Sequence, residues 1–389
     1  MQLESIQAEL GRQNLDGWLF FDHHQRDPLA YRVLGFEAPR MVTRRWYYFI
    51  PAEGEPAGLV HRIERGMLDA LPGAKTAYAS WAEQEACLRA LLAGRRRVAM
   101  QYSPLCAIPY VAMVDAGTVE LVRSMGVEVV SSAELIQAFE ARWTPEALET
   151  HVEAGRRVDQ IRAAAFALIG ERTRASVAVN EFEVQRFILD EFARAGMVTD
   201  EAPIVAVNGH AGNPHYEPAA EASAPIRRGD FVLLDMWAKL DRPGAVYYDI
   251  TWTGYCGSDP SDEIRRVFSI VTGARDAAVA RVEKAVAAGE ALCGYQVDDV
   301  ARSYIETRGY GPFFVHRTGH SIGEDVHGSG ANMDNLETHD ERRIAPWTCF
   351  SIEPGIYLER FGVRAEVNVF VGDAEARVTG EIQRELVLV

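Results

Sequence analysis

Short apolar runs alternate with an amphipathic stretch along the first part of the chain. The runs lie at residues 17–22, 45–51 and 97–102, and the stretch at 81–94 has the spacing of a helix with one apolar face. Strands interleaved with helices in this way are typical of an α/β layer domain. The pattern predicts such a domain over residues 1–142.

The second predicted domain, residues 143–389, begins with residues that are typical of a helix start. Thr144 can cap a helix, Pro145 suits its first position, and apolar residues follow at helical spacing. A second helix is predicted to start after Asn180. Strand-like runs follow at 202–207, 231–238 and 246–253, then helical patterns at 262–288 and 296–308, and finally late strands.

Five potential ligands for a hard metal ion lie in or beside apolar, strand-like runs of this second domain: Asp235, Asp249, His320, Glu353 and Glu366. Burying four carboxylates without countercharge would be prohibitive, whereas two divalent cations remove that cost. Oxygen-rich ligands suit Mn²⁺ or Mg²⁺, and one imidazole extends the choice to Zn²⁺ or Co²⁺. Because no cysteine joins the set, a catalytic dinuclear site is predicted in preference to a structural zinc site.

Charge, cysteine content and the N-terminal segment exclude some classes of partner and indicate the cellular compartment. The formal charge of −16 disfavours nucleic acid and anionic membrane surfaces as partners, because both would be repelled. The five cysteines are widely spread without a C-x-x-C pair, which is typical of reduced thiols. The N-terminus shows no basic segment followed by an apolar one, so no signal peptide is expected. We therefore expect a cytoplasmic protein.

The ligand contexts, in their order along the chain, resemble those of a known family. The fragments are N-P-H-Y, L-L-D-M-W, Y-D-I-T-W-T, H-R-T-G-H-S-I-G-E-D-V-H, S-I-E-P-G and G-V-R-A-E. Residues from about 144 to 389 thus resemble the pita-bread metallopeptidases, which include methionine aminopeptidases, aminopeptidase P and prolidase. The resemblance implies a mixed α/β fold, in which a creatinase-like α/β domain precedes the pita-bread domain.

Carried over residue by residue, the resemblance implies a ligand set for two divalent cations, with Mn²⁺ favoured and Zn²⁺ or Co²⁺ as alternatives. Asp235 would chelate one cation, Asp249 and Glu366 would bridge the pair, and His320 and Glu353 would complete the other. Glu353 would also accept the proton of the attacking water, although a purely ligating role remains open.

Residues beside the ligands also match the family's pattern. The resemblance implies that His215 and His327 hydrogen-bond the substrate and the developing oxyanion. Arg364 precedes Glu366 by two residues, and strand alternation would place both on one sheet face, where the arginine supports a carboxylate or meets the substrate. Weaker expectations concern Thr251 and Thr253 as hydrogen-bond partners of the ligands, and His210 and His316 as neighbours of the site.

An α/β N-terminal domain accompanies the proline-directed members of this family, so the resemblance implies hydrolysis of Xaa-Pro bonds in a dipeptide or short peptide. We expect an Xaa-Pro dipeptidase (prolidase), with aminopeptidase P as the alternative, acting as a homodimer. A small-molecule C–N hydrolase of the creatinase type is disfavoured because all five ligands are present. Metal-using relatives that act on non-peptide C–N bonds remain an alternative, as does a catalytically silent peptide-binding module of the same fold.

Overall fold

The computed structural model describes residues 2–36 and 41–389, so Met1 and residues 37–40 of the first predicted domain lie outside the described part. The chain divides into two compact units, Met1–Glu140 and Ala141–Val389. This division falls two residues before the predicted boundary between 142 and 143. Among the described residues, no helix has both the length and the apolar character needed to cross a bilayer.

The first unit alternates strands and helices, as the apolar runs predicted. Its strands are β1 (Gly17–Asp22), β2 (Trp46–Pro51), β3 (Ala57–His61), β4 (Ala74–Tyr78), β5 (Arg97–Met100) and β6 (Glu128–Ser131). Its helices are α1 (Leu3–Arg12), α2 (Pro28–Leu34), α3 (Trp81–Leu91), α4 (Ala116–Ser124) and α5 (Ala133–Ile136). Short 3₁₀ turns at Arg62–Leu68, Pro104–Cys106 and Pro109–Val111 and a π-turn at Gln137–Ala141 complete it.

These strands form one mixed sheet in the order β4-β3-β2-β1-β5-β6. The run G-W-L-F-F-D forms a central strand because both of its faces are apolar: Trp18 and Phe20 join one core cluster, and Leu19 and Phe21 join the other. A strand buried on both faces needs a continuous apolar run, which explains why alternation is absent there.

The second unit begins with the long helix that the sequence predicted. Its helices are α6 (Pro145–Arg174), α7 (Glu181–Arg194), α8 (Asp262–Ala287) and α9 (Gly294–Glu306). The Thr144 and Asn180 side chains accept hydrogen bonds from the backbone of Ala147 and Glu183, so both predicted helix starts are confirmed. Short 3₁₀ turns lie at Asn208–Gly212 and Gly311–Phe313.

The strands of this unit form separate sheets. They are β7 (Met197–Val198), β8 (Ile204–Val207), β9 (Phe231–Leu240), β10 (Tyr248–Tyr255), β11 (Ser321–Ile322), β12 (Thr348–Ile352), β13 (Gly355–Tyr357), β14 (Gly362–Arg364), β15 (Val367–Val371), β16 (Ala376–Thr379) and β17 (Val387–Leu388). One sheet has the order β17-β10-β9-β7 with β8 also on β9, a second has the order β11-β12-β15-β16, and β13 pairs with β14.

Strand alternation in β9 separates two cores and creates a polar position between them. Phe231 and Leu233 pack into one cluster, whereas Val232 and Leu234 pack into the other. Asp235 comes next on the face of Leu233, so a carboxylate interrupts an otherwise apolar surface. The candidate site is built from this position.

Candidate metal centre

The antiparallel hairpin β9–β10 brings the two predicted aspartates together. Its register places Asp235 opposite Thr251 and Asp249 opposite Trp237. The two carboxylates are therefore diagonal neighbours on one face of the sheet, within reach of a shared ion. The loop that separates the strands leaves this pairing intact.

The remaining three ligands lie just outside strands. His320 precedes β11, Glu353 follows β12, and Glu366 occupies a two-residue break between β14 and β15. We expected strand alternation to place Arg364 and Glu366 on one sheet face. That expectation is wrong, because the break separates the two residues. Both side chains nevertheless reach the same site.

Asn368 and the backbone of Glu366 connect the β12–β15 sheet to the hairpin. The Asp249 N–H donates to Asn368 Oδ1 at 3.0 Å, and the Asn368 amide in turn donates to the Asp249 carbonyl. The Glu366 N–H donates to the Thr251 carbonyl at 3.2 Å. These bonds fix Asp249 and Glu366 relative to each other. Asn368 was not predicted from the sequence, because a single amide in the run V-N-V-F-V belongs to no recognised motif.

The ligands form a tight group of three with the other two at its sides. Asp249, His320 and Glu366 each offer an atom, and these atoms lie within 4.8 Å of one another. His320 Nε2 is 3.4 Å from Asp249 Oδ2 and 3.4 Å from Glu353 Oε1. Asp235 instead forms an ion pair with Arg364.

The protonation of His320 points to a cation between these groups. Its Nδ1 lies 3.1 Å from the Ser321 carbonyl oxygen, which accepts a hydrogen bond and so places the ring proton on Nδ1. Burial is the main cause that lowers the pKa of His320. With the ring proton on Nδ1, Nε2 presents its lone pair to two carboxylates, and a divalent cation between the three groups would suit this arrangement.

The balance of buried charge supports the same conclusion. Four carboxylates meet one guanidinium, that of Arg364, and the Glu366 Oε1 atom is buried without a hydrogen-bond partner in the described structure. Burial, followed by repulsion from neighbouring carboxylates, raises the pKa of Asp249 and Glu366 well above the usual range. The donor set is thus suited to divalent cations, which would satisfy the excess negative charge.

Thr251 and Arg364 hold the carboxylates in place. The Thr251 hydroxyl lies 2.9 Å from Asp235 Oδ1 and 2.8 Å from Glu366 Oε2, and it accepts from Arg364 Nε at 2.9 Å. Arg364 also donates to Tyr357 Oη at 3.1 Å. Thr253 differs from Thr251, because its buried hydroxyl has no partner in the described structure.

The two other histidines of the sequence analysis have distinct surroundings. His316 Nε2 lies 2.7 Å from Tyr357 Oη, so it joins the network of Arg364. His210 is held by Glu181, with Nδ1 2.8 Å from Glu181 Oε1. Tyr357 was missed by the sequence analysis, although it follows Glu353 by only four residues in E-P-G-I-Y.

A cavity of about 1110 Å³ opens over the ligands. The side chains of His215, His327 and Arg317 line it together with all five predicted metal ligands and Arg364. The His327 ring lies 4.4 Å from that of His320, and this neighbour is the main cause that lowers the pKa of His327 to about 3. Two imidazoles, those of His215 and His327, thus lie in the cavity beside the predicted ligands.

Comparison with known proteins identifies the family. Residues 149–373 match the model of metallopeptidase family M24. The chain belongs to metallopeptidase family M24. The resemblance and the pita-bread fold expected from the sequence are therefore confirmed.

Individual relatives agree with this placement. A Mycoplasma pneumoniae protein provisionally named Xaa-Pro aminopeptidase is 32% identical over 202 residues, 50% of this chain and 51% of the relative. The Xaa-Pro dipeptidase of Pyrococcus furiosus is 30% identical over 184 residues, 47% of this chain and 48% of the relative. The chain thus spans about half the length of these curated relatives. The dipeptidase PepE structure from Mycobacterium ulcerans matches with a TM-score of 0.74 at 23% identity, covering 100% of this chain and 96% of that one, which shows a shared fold.

Proposed function

We propose that the protein hydrolyses Xaa-Pro peptide bonds with two divalent cations held by Asp235, Asp249, His320, Glu353 and Glu366. The observation that carries the proposal is His320 Nε2 lying 3.4 Å from the carboxylates of both Asp249 and Glu353, beneath a cavity of about 1110 Å³. Relatives named for Xaa-Pro hydrolysis support the choice of substrate.

Two cations bound there would supply Lewis acidity, which lowers the pKa of water and polarises the scissile carbonyl. Glu353 would accept the proton of the attacking water, and the Ser351 hydroxyl, 3.1 Å from Glu353 Oε1, would orient that carboxylate. His215 and His327 would donate hydrogen bonds to the oxygen on which charge develops. Arg364 would keep Asp235 in place.

A dipeptidase must recognise the carboxylate that follows proline, and Arg317 is suited to this task. Arg317 is one of the residues that line the cavity, and it offers the guanidinium group that a carboxylate favours. The Arg317 backbone is fixed on both sides, because its N–H donates to Glu337 Oε1 at 3.0 Å and its carbonyl accepts from His316 Nδ1 at 2.6 Å. A guanidinium carried by this fixed backbone would offer a terminal carboxylate two parallel hydrogen bonds.

The proposal extends to the surroundings of the catalytic unit. Residues 1–142 would form the creatinase-like N-terminal domain of the proline-directed members, residues 143–389 would be the catalytic domain, and the protein would be a cytoplasmic homodimer that uses Mn²⁺. None of the five cysteines, all of which the structure describes, forms a disulfide, as expected for a reducing compartment. Light scattering of the purified protein would test the dimer.

The experiment compares proline release from Ala-Pro with alanine release from Ala-Pro-Ala, using protein stripped of metal and then reloaded with Mn²⁺ or Zn²⁺. Ala-Ala serves as the control for proline selectivity. Metal-dependent cleavage of Ala-Pro alone would establish a dipeptidase, and cleavage of the tripeptide would favour aminopeptidase P. If neither peptide is cut with either metal, the proposed function is wrong.

A further inference from the structure

A fully buried carboxylate lies outside the metal centre, at the first residue of α7. The Glu181 side chain has no exposed surface, yet it is surrounded by donors and not by a cation. Oε1 accepts from the Val207 N–H at 2.8 Å, and Oε2 accepts from the Tyr216 hydroxyl at 2.6 Å and the Ala224 N–H at 2.7 Å. His210 Nδ1 completes the set at 2.8 Å from Oε1. A buried carboxylate with every partner in place is a rigid anchor.

All four donors belong to one segment of the chain. Val207 ends β8, and Ala224 lies shortly before β9, so Glu181 ties together the two ends of the loop 208–223. His210 and Tyr216 lie within that loop, and their rings stack at 4.3 Å. One side chain therefore fixes both the closure and the interior of this loop.

The loop carries His215 into the catalytic cavity. Residues 213–217 line the cavity, and Tyr216, which donates to Glu181, is the immediate neighbour of His215. The His215 N–H also donates to Asn213 Oδ1 at 3.1 Å, so the backbone around the imidazole is fixed locally. Because His215 is exposed to the cavity, its direction depends on the backbone that holds it.

We propose that Glu181 is a positioning residue that holds the loop 208–223 so that His215 is aimed at the reacting carbonyl. The inference rests on the proposed role of His215 in Xaa-Pro hydrolysis. Glu181 itself touches neither the metal ligands nor the cavity, and it acts only through the loop. Small displacements of such a group are costly, since a misplacement of about 1 Å can reduce turnover on the order of 100-fold.

The test uses Glu181→Gln, which replaces one acceptor oxygen by a donor and leaves two of the loop's donors facing an N–H group. Glu183→Gln is the matched control. Glu183 lies in the same first turn of α7 and its side chain accepts from the Asn180 N–H at 3.1 Å, but it does not contact the loop. Both substitutions remove a negative charge from the first turn of the helix, but only Glu181→Gln changes a side chain that the loop contacts.

We expect Glu181→Gln to lower kcat for Ala-Pro about 10- to 100-fold with metal content unchanged, whereas Glu183→Gln keeps the parental kcat. Combining Glu181→Gln with His215→Ala should cost little more than His215→Ala alone, because both changes remove the same interaction. Hydrogen exchange of the backbone amides of residues 207–224 should be faster in Glu181→Gln than in Glu183→Gln. Tyr216→Phe, which removes one donor and keeps the ring, is the milder second variant and should change both measurements in the same direction.

The outcomes separate this inference from the proposed function. An active parent protein whose Glu181→Gln variant keeps the parental kcat, or whose loss adds fully to that of His215→Ala, refutes the inference alone. Equal exchange rates in the two glutamine variants would also refute it. A parent protein that cleaves neither peptide refutes the proposed function and with it the role given to His215.

Discussion

Replacing Thr251 by valine should weaken metal binding without removing a ligand. The hydroxyl lies within hydrogen-bond distance of Asp235 Oδ1, Glu366 Oε2 and Arg364 Nε, at 2.8 to 2.9 Å. Valine replaces the hydroxyl by a methyl group of similar size, so the fully buried position is neither emptied nor overfilled while its polar contacts are lost. The substitution therefore tests the hydrogen bonds alone.

The expected size of the effect follows from these contacts. A hydrogen bond to a charged group contributes about 1.5–3 kcal/mol, and the single hydroxyl proton serves one carboxylate at a time. Loss of a partner that orients a metal ligand typically costs about 10- to 100-fold in affinity. We therefore predict that Thr251→Val raises the Kd for Mn²⁺ by about 10- to 100-fold, equivalent to about 1.4–2.7 kcal/mol.

Titration calorimetry of metal-stripped protein with Mn²⁺ measures this change, and Thr253→Val is the control. Thr253 is equally buried on the same strand face, but its hydroxyl has no partner in the described structure, so its removal should leave the Kd unchanged. Equal affinities for Thr251→Val and the parent protein would refute the reasoning. An equal loss in both variants would show that the strand, and not the hydrogen bond, controls the affinity.

Further predictions concern the ligands, the catalytic groups and stability. Glu366→Ala should bind at most one cation per chain, as measured by elemental analysis, because a ligand predicted to bridge the pair is lost. His327→Ala should lower kcat about 100-fold with metal content nearly unchanged, whereas a metal-depleted variant would contradict its assignment to the substrate. Arg317→Met should raise KM for Ala-Pro but not for Ala-Pro-amide, which lacks the carboxylate; equal KM changes for both would exclude the arginine from this role. Burial lowers the pKa of His151 from 6.5 to about 4, so the folded state keeps the ring neutral where the unfolded chain takes up a proton. The free energy of unfolding should therefore fall by about 3 kcal/mol at most as the pH drops from 6.5 to about 4, and it should not change through this group above pH 6.5. Urea unfolding of His151→Gln should show a flatter pH dependence over that range.

Helices and central strands could be predicted from the sequence because their signals are local. Thr144 and Pro145 mark the start of α6, and the run 17–22 coincides with β1. These features need no knowledge of the tertiary structure, since a cap or an apolar run has the same meaning wherever the segment lies. The mixed α/β architecture followed from their order.

Residues that act through long-range contacts could not be recognised in the same way. Asn368 and Glu181 are ordinary polar residues in sequence, and their roles depend on the partners that the fold brings to them from more than 25 positions away. The break between β14 and β15 has the same cause. Arg364 and Glu366 look like alternate positions of one strand, but the Glu366 backbone pairs with Thr251 in another sheet and interrupts the strand.

The predicted metal ligands were the exception, because a carboxylate in an apolar run is costly enough to be noticed in the sequence, and Asp249, His320 and Glu366 do lie close together in the structure. The same cost explains the construction of the site. The Arg364 guanidinium forms ion pairs with Asp235 and Glu353, and Thr251 links that guanidinium to Asp235 and Glu366. A more complete set of countercharges would stabilise the metal-free fold but would occupy the oxygens that cations need. The proposed function therefore requires that Glu366 Oε1 has no protein donor, as the described structure shows. A substitution that supplied such a donor should raise the stability of the metal-free protein and lower its affinity for metal.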